Sequence, residues 1–381
     1  MKLLIVCDVL GEENNGTTMA AMNLIRNMRS RGHEVRVLCA DQFRKGDEGF
    51  YVVPNLSLGK LLDAYVKKVG VSLAKADKTI IRQAMEGVDL VHIMLPFSLG
   101  NASVKIANKM DLPVTAGFHM MAEIFSSYVK MSGFEPLNRF IYHFIYKKLY
   151  SKVDAVHYPT KFVQDIFEKV VHHKTNGYAI SNGVSQYVEK KEISRPKEFE
   201  DKIVVMTTGR YASEKKQDVL LKAVNYSKYK DKIQLVLAGQ GVKDKYYKKL
   251  GAKLPVEPIF KFYNRTELVD MLNVSDIYVH AGEIEIEGIA CLEALTCGKF
   301  LIASDSKRSA PSGFVLDKKC LFKNRKPKDL ARVLDYWIER PEERKELEDK
   351  YLEMSKQFNQ KLCFDKMEEM FTETIKNHGK K

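Results

Sequence analysis

The chain has 381 residues, more than a single hydrophobic core usually supports, so two domains are expected. Its composition, 45% hydrophobic and 29% charged, is that of an ordinary globular protein, and no apolar run is long enough to span a bilayer. The formal net charge of +13 asks for an anionic partner. Nucleic acid, an anionic membrane face and a phosphorylated ligand all satisfy it, and charge alone does not choose among them.

The opening "MKLLIVCDVL" turns polar too soon for a secretory signal and reads as a first buried strand. After it comes "GEENNGTT". The spacing from Gly11 to Gly16 resembles part of a phosphate-binding loop, but no Lys-Ser/Thr pair follows Gly16 and GxGxxG is absent. What remains is a turn, or a loop whose N–H groups meet an anion or a sugar hydroxyl as a helix starts near Thr17. That helix, "TTMAAMNLIRNMRSRGH", is closed by Gly32 and followed by the strand "EVRVLCAD".

From Lys60 to Met85 a helical wheel puts Leu62, Tyr65, Val66, Val69, Leu73, Ile80 and Ala84 on one face. Lys60, Lys67, Lys75, Lys78 and Arg82 lie opposite, with Lys68 beside them, and Gly70 weakens the helix. This basic amphipathic pattern fits an anionic bilayer surface, or equally a helix packed on its own domain. "DLVHIML", "PVTAGFH" and "AVHYPT" continue as strands, and His119 falls just past the second of them, where it is either structural or a donor to a ligand hydroxyl or phosphate.

A polar join around "SNGVSQYVEKKEISRPKEFED" is followed by a second strand–helix alternation. The chain therefore reads as α/β, two Rossmann-like doubly wound domains: 1–190 and 191–357, with a C-terminal helix at about 358–381 packing back on the first. Ligands bind such sheets at the carboxyl ends of the strands, so residues just past strand ends carry the information. "VVMTTG" is followed by Arg210 and Lys215, a planar fork and a point charge that suit a diphosphate, or else belong to a solvated loop. "LAGQG" puts Gly239 and Gly241 at the next strand end.

The stretch "AGEIEIEGIACLEALTCGK" then gathers Glu283, Glu285, Glu287 and Glu293 around a strand–helix junction. A helix start favours anions. Glu293, inside the helix, suits vicinal hydroxyls of a ribose, and Glu285 those of a second sugar. No His or Asp completes a metal-ligand set there. The six cysteines show no metal-ligand spacing and read as buried free thiols.

Taken in order, the Gly loop, the strand-end His, Arg210 with Lys215, and Glu285-x7-Glu293 resemble the retaining GT-B glycosyltransferases of family 4, the group 1 glycosyltransferases. "RGHEVRVLCAD", "AISNGV" and "GRYASEKKQDVLLKA" look like family segments as well. The resemblance implies two domains facing across a cleft and a nucleotide-sugar donor, with no metal or other cofactor required. It implies catalytic roles for His119, Arg210, Lys215 and Glu285, and donor contacts from Gly16, Thr17, Gly209, Gly239, Gly288, Ile289 and Glu293. The family often has an aromatic residue where Glu287 stands and Gly where Lys216 stands. Glu283 and Glu287 are expected to be solvated or to face the acceptor.

Within the family, "EIEIEGIACLEA" and "FSLGNASVKIANKMDLPVTAGFH" look most like the bacterial 1,2-diacylglycerol 3-glucosyltransferases. This implies UDP-glucose as donor, a lipid acceptor, and a peripheral place at the cytoplasmic face of the membrane. A soluble or polyprenyl-linked acceptor, or a nucleotide-sugar epimerase on the same fold, are the other readings. A nucleic-acid partner explains the charge but not the strand-end residues. A second aromatic and basic segment, "NRFIYHFIYKKLYSK" from Asn138 to Lys152, reads first as a packed helix.

Overall fold

Runs such as "KLLIVC" and "IQLVLA" are apolar at nearly every position, which suits strands covered on both faces rather than on one. The computed structural model describes residues 1–8, 10, 16–56, 74–128, 131 and 133–380, and divides them into two units, 1–182 with 363–381, and 183–362.

The first unit runs β1 (Lys2–Cys7), α1 (Gly16–Ser30), β2 (Glu34–Cys39), β3 (Phe50–Val52), α2 (Lys78–Met85), β4 (Leu90–Ile93) and α3 (Ser98–Lys109). It continues through β5 (Val114–Gly117), α4 (Ala122–Tyr128), α5 (Glu135–Lys148), β6 (Ala155–Tyr158), α6 (Lys161–Val171) and β7 (Gly177–Ala179). Its strands pair in parallel in the order β3-β2-β1-β4-β5-β6-β7.

The second unit runs β8 (Ile203–Thr208), α7 (Gln217–Tyr226), β9 (Ile233–Ala238), α8 (Asp244–Gly251), β10 (Ile259–Lys261), α9 (Arg265–Val274) and β11 (Ile277–His280). Then come α10 (Ile289–Thr296), β12 (Phe300–Ser304), β13 (Leu321–Phe322), α11 (Pro327–Ile338) and α12 (Pro341–Ser355). Its parallel order is β10-β9-β8-β11-β12-β13.

In each sheet the winding reverses beside the first strand, at β1/β4 and at β8/β11. A crevice opens at the carboxyl ends of the strands where the order reverses, because the connections leave in opposite directions there. In the second unit, Ile277 and Tyr278 of β11 register with Val205 and Met206 of β8, so the loops after these two strands emerge side by side.

The last helix, α13 (Gln360–Asn377), belongs to the first unit by packing. Cys363, Phe364, Met367, Met370 and Phe371 fall on one face at helical spacing and join the core formed with β1, β2 and α1. Arg31 donates to Asp365 at 2.7 Å and to Glu368 at 2.9 Å along the edge of this contact. All six cysteines are buried free thiols.

The structure corrects the reading of Lys60 to Met85 as one helix. Lys60, Lys67 and Lys68 lie outside the described residues. Ala74 forms an antiparallel bridge with Asn55. The helix starts only at Lys78, because the Asp77 carboxylate accepts from the N–H groups of Thr79 and Ile80. Ile81, Ala84 and Met85 turn into the first unit's own core, while Lys75, Lys78 and Arg82 are exposed. Among the described residues no helix is long and apolar enough to cross a membrane.

Candidate functional site

The loop after β8 carries Gly209, Arg210 and Lys215, and the loop after β11 carries Glu283, Glu285 and Glu287. The parallel register of the two strands brings these loops together, and the backbone joins them: the Glu283 N–H donates to the Glu214 carbonyl at 2.8 Å. Across this junction the Lys215 ammonium donates to the Glu285 carboxylate. Burial works against charge on both groups. Their mutual attraction outweighs it, holding Lys215 above and Glu285 below its ordinary pKa. The pair is therefore ionised at neutral pH. Arg210 is more exposed and donates to Glu214 at 3.1 Å.

His280, at the end of β11, places Nε2 3.8 Å from the Glu285 carboxylate. Burial depresses its pKa to about 4, so it is a neutral imidazole there. Nothing in the sequence pattern separates His280 from an ordinary strand residue; only its position one loop from Glu285 does.

Glu285 is held from the other side as well. Its N–H donates to the Arg308 carbonyl at 2.9 Å, and its carbonyl accepts from the Ala310 N–H at 2.9 Å. The loop then turns through Gly288, whose φ is 84°, into α10. A Cβ at Gly288 would lie 2.5 Å from Pro311 Cγ and 3.4 Å from Glu285 Cγ. Glycine is required there by conformation and by space.

No side chain caps α10. The N–H groups of Ile289 and Ala290 find no partner among the described residues. Open N–H groups at a helix start, beside two cations, form a site for a polyanion. Glu293, one turn in, is half-buried, and its carboxylate has no hydrogen-bond partner among the described residues. Burial holds its pKa above the ordinary range, against the more distant Arg265. A half-buried carboxylate left open in this way is a ready acceptor for hydroxyl groups.

Gly209 and Gly239 close β8 and β9 against each other; a Cβ at Gly239 would fall 2.1 Å from the Gly209 carbonyl oxygen. Arg210, Lys215, Glu285, Gly288, Ile289 and Glu293 thus belong to one strand-end assembly in the second unit, with Gly209 and Gly239 beneath it.

Glu283 and Glu287 are neither solvated nor open: they are 2% and 4% exposed. Glu283 receives Arg325 at 2.6 and 2.8 Å, Arg308 at 3.0 Å, and Lys216 at 3.3 Å. These cations overcome the cost of burial and hold Glu283 below its ordinary pKa. Two of them, Lys216 (φ 53°) and Arg325 (φ 60°), sit in the left-handed backbone region that side chains disfavour. Lys216 replaces the glycine that its conformation would favour, and its ion pair with Glu283 offsets the strain. Glu283 therefore clamps the Lys215 loop to the Glu285 loop, a role that four scattered residues give no sign of in sequence.

The remaining expected residues lie in the first unit. Gly16 opens α1, where an added Cβ would meet nothing within 4 Å among the described residues, with Thr17 half-buried beside it; residues 11–15 of the preceding loop lie outside the described residues. His119 follows β5. Its ring folds back so that a Cβ on Gly117 would meet Nε2 at 2.5 Å. Its ring centre is 5.5 Å from that of His157, and His92, bonded to Thr115 at 2.8 Å, is the third member of this cluster, in which His92 and His157 are buried and His119 half-buried. Burial, with some help from His157, lowers the His119 pKa to about 3, so its imidazole is neutral. Among the described residues no group of three or more His, Cys, Asp or Glu is arranged to hold a metal ion.

Two family models match the chain. Glycosyltransferase Family 4 covers residues 14–186, and Glycosyl transferases group 1 covers residues 188–353. The chain is 23% identical to an alpha-monoglucosyldiacylglycerol synthase of Streptococcus pneumoniae over 80% of its own length and 71% of that protein's. It is 24% identical to a GDP-mannose-dependent alpha-mannosyltransferase of Corynebacterium glutamicum over 78% and 71%. Among solved structures, Anabaena HepE in complex with UDP superposes with a TM-score of 0.74 at 15% identity, over 98% of this chain and all of that one.

Proposed function

Because the chain belongs to the group 1 glycosyltransferases, with a family 4 domain followed by a group 1 domain on a GT-B fold, we propose that it moves glucose from UDP-glucose, with retention, to a membrane lipid such as 1,2-diacylglycerol at the cytoplasmic membrane face. The observation that carries the donor part is the assembly past β8 and β11. Two cations and an uncapped helix start stand beside two glutamates at the switch point of a doubly wound sheet.

The donor's diphosphate lies against the open N–H groups of Ile289 and Ala290, with Arg210 and Lys215 neutralising it as it leaves. Lys215 is charged and oriented before the donor arrives, because Glu285 holds it, so little reorganisation is needed at the moment of bond cleavage. Glu293 accepts from the ribose hydroxyls, and Glu285, through the oxygen not engaged by Lys215, from those of the sugar. For His119, a neutral imidazole, and for Gly16 and Thr17, all in the first unit, the family resemblance alone supports a role toward that sugar. The acceptor hydroxyl attacks on the face that the diphosphate leaves, and the departing phosphate takes its proton. Arg210, Lys215 and the α10 N–H groups carry the charge neutralisation, and no metal ion or other cofactor is invoked.

The lipid acceptor is supported by the likeness to the monoglucosyldiacylglycerol synthase. The likeness to the mannosyltransferase favours a second reading, GDP-mannose with another acceptor. A panel of labelled UDP-glucose, UDP-galactose, UDP-N-acetylglucosamine and GDP-mannose, each with diacylglycerol in mixed micelles, tests both. The expected product is an α-glucosyl lipid from UDP-glucose. Mannosyl transfer alone would select the second reading, and sugar isomerised without any acceptor would sink both.

A further inference from the structure

The segment first read as a packed helix, α5, is packed on one side only. Its inner side is pinned: Tyr142 donates to Glu123 at 2.6 Å, the Ser126 hydroxyl donates to Asn138 at 2.6 Å, and Ile145 is buried. Its outer side carries Phe140 and Phe144, 67% and 48% exposed, one helical turn apart with ring centres 6.3 Å from each other. Phe134, at the start of the helix, is 49% exposed. Arg139, Lys147 and Lys148 are exposed beside the rings, and the Lys148 ammonium stands 5.6 Å from the centre of Phe144. From Pro136 to Lys152 the sequence has no acidic residue.

We infer that the outer face of α5, centred on Phe140 and Phe144, is the surface by which this protein docks on an anionic lipid bilayer. Exposed aromatic rings on a rigidly held helix lose apolar surface to water, and the acyl boundary removes that cost. At helical spacing Lys147 and Lys148 fall within about 60° of the ring pair, with Arg139 on its flank, and long basic side chains so placed can extend to lipid phosphates. Beyond Glu135 at its start, α5 carries no carboxylate to oppose a negative surface. In α2 the exposed side chains are Lys78, Thr79, Arg82 and Gln83, with no exposed aromatic ring among them, and Ile81, Ala84 and Met85 are buried in the core. This deepens the lipid-acceptor reading and rests on it for the bilayer as working partner, although docking itself needs only anionic lipid.

The test is co-sedimentation of the full chain with phosphatidylcholine vesicles, with and without phosphatidylglycerol, at low and high salt. The wild type is expected to bind the anionic vesicles and to weaken with salt. Phe140→Ser with Phe144→Ser should lose about tenfold in affinity, the equivalent of re-exposing about one phenyl side chain. Lys147→Gln and Lys148→Gln should each lose about fivefold, at low salt only. Lys78→Gln with Arg82→Gln, on α2, serves as the comparison. Thermal melts check that the exposed substitutions leave the fold intact.

Wild-type strength in the Phe variant overturns the inference, as does a wild type that binds neither vesicle, which would point to a protein partner for this face. Transfer to diacylglycerol in mixed micelles is measured in parallel and needs no vesicle. Vesicle binding lost in the Phe variant without any lipid product from the wild type keeps the docking face and removes the lipid acceptor. Lipid product with vesicle binding unchanged does the reverse.

Discussion

Replacing Glu283 with Gln tests whether this buried carboxylate clamps the loops after β8 and β11 together. The substitution keeps the shape but removes the charge that Lys216, Arg308 and Arg325 share. Breaking a buried ion pair from one side costs about 3–5 kcal/mol when the orphaned partner is itself buried. Here the orphans reach water, with side-chain exposures of 22%, 27% and 55%, so the cost falls to about 2 kcal/mol. For a unit of this size that lowers the melting midpoint by about 4–8 °C.

The chain's one tryptophan makes the assay specific. Trp337 is buried in the core of this same unit, its ring 4.7 Å from Phe300, so its fluorescence reports the unfolding of residues 183–362. The pH dependence supplies the sign. Because folding lowers the Glu283 pKa from 4.5, its contribution is complete above about pH 4.5 and is lost as the pH falls through the lower folded value. The gap between wild type and variant should therefore be full at pH 7 and close on acidification. A variant that melts with the wild type at pH 7, or a gap that stays constant down to acid pH, would refute the clamp.

Lys215→Met should lower kcat by about 100- to 1,000-fold with a smaller change in the donor KM, because its charge matters most as the diphosphate leaves; single-turnover kinetics with UDP-glucose read this. Glu293→Ala should raise the donor KM by about tenfold or more, the loss of a charge-assisted hydrogen bond, and isothermal titration with UDP should show the same factor. Gly288→Ala should weaken UDP binding and destabilise the second unit by about 1–3 kcal/mol. The new methyl meets Pro311 and the backbone there is left-handed; a Trp337 unfolding midpoint equal to wild type would contradict this.

Much of the strand-end assembly was legible beforehand. A parallel strand buried on both faces announces itself as an unbroken apolar run, and parallel order sends every carboxyl end to one edge of the sheet. Arg210, Lys215 and Glu285 could therefore be read at strand ends, and the family resemblance added Gly288. His280 was passed over because its pattern position is that of a core residue. Glu283 and Glu287 were misread because charge suggests solvent, whereas Arg308 and Arg325, 25 and 42 residues away in the chain, supply the counter-charges that make burial of Glu283 tolerable. The Lys60–Met85 segment was read as one helix because periodicity ignored Asp77, whose side chain caps a helix that begins only at Lys78.

By itself, then, the sequence determined the strand and helix alternation, the two halves and the residues at their strand ends, because these follow from local periodicity and from the one-way rule of parallel sheets. Tertiary structure alone decided which charges are shared inside and which face of α5 is left outside. Both faces of that helix carry aromatic rings, and only the partners of Tyr142 and Asn138 select the one that turns inward.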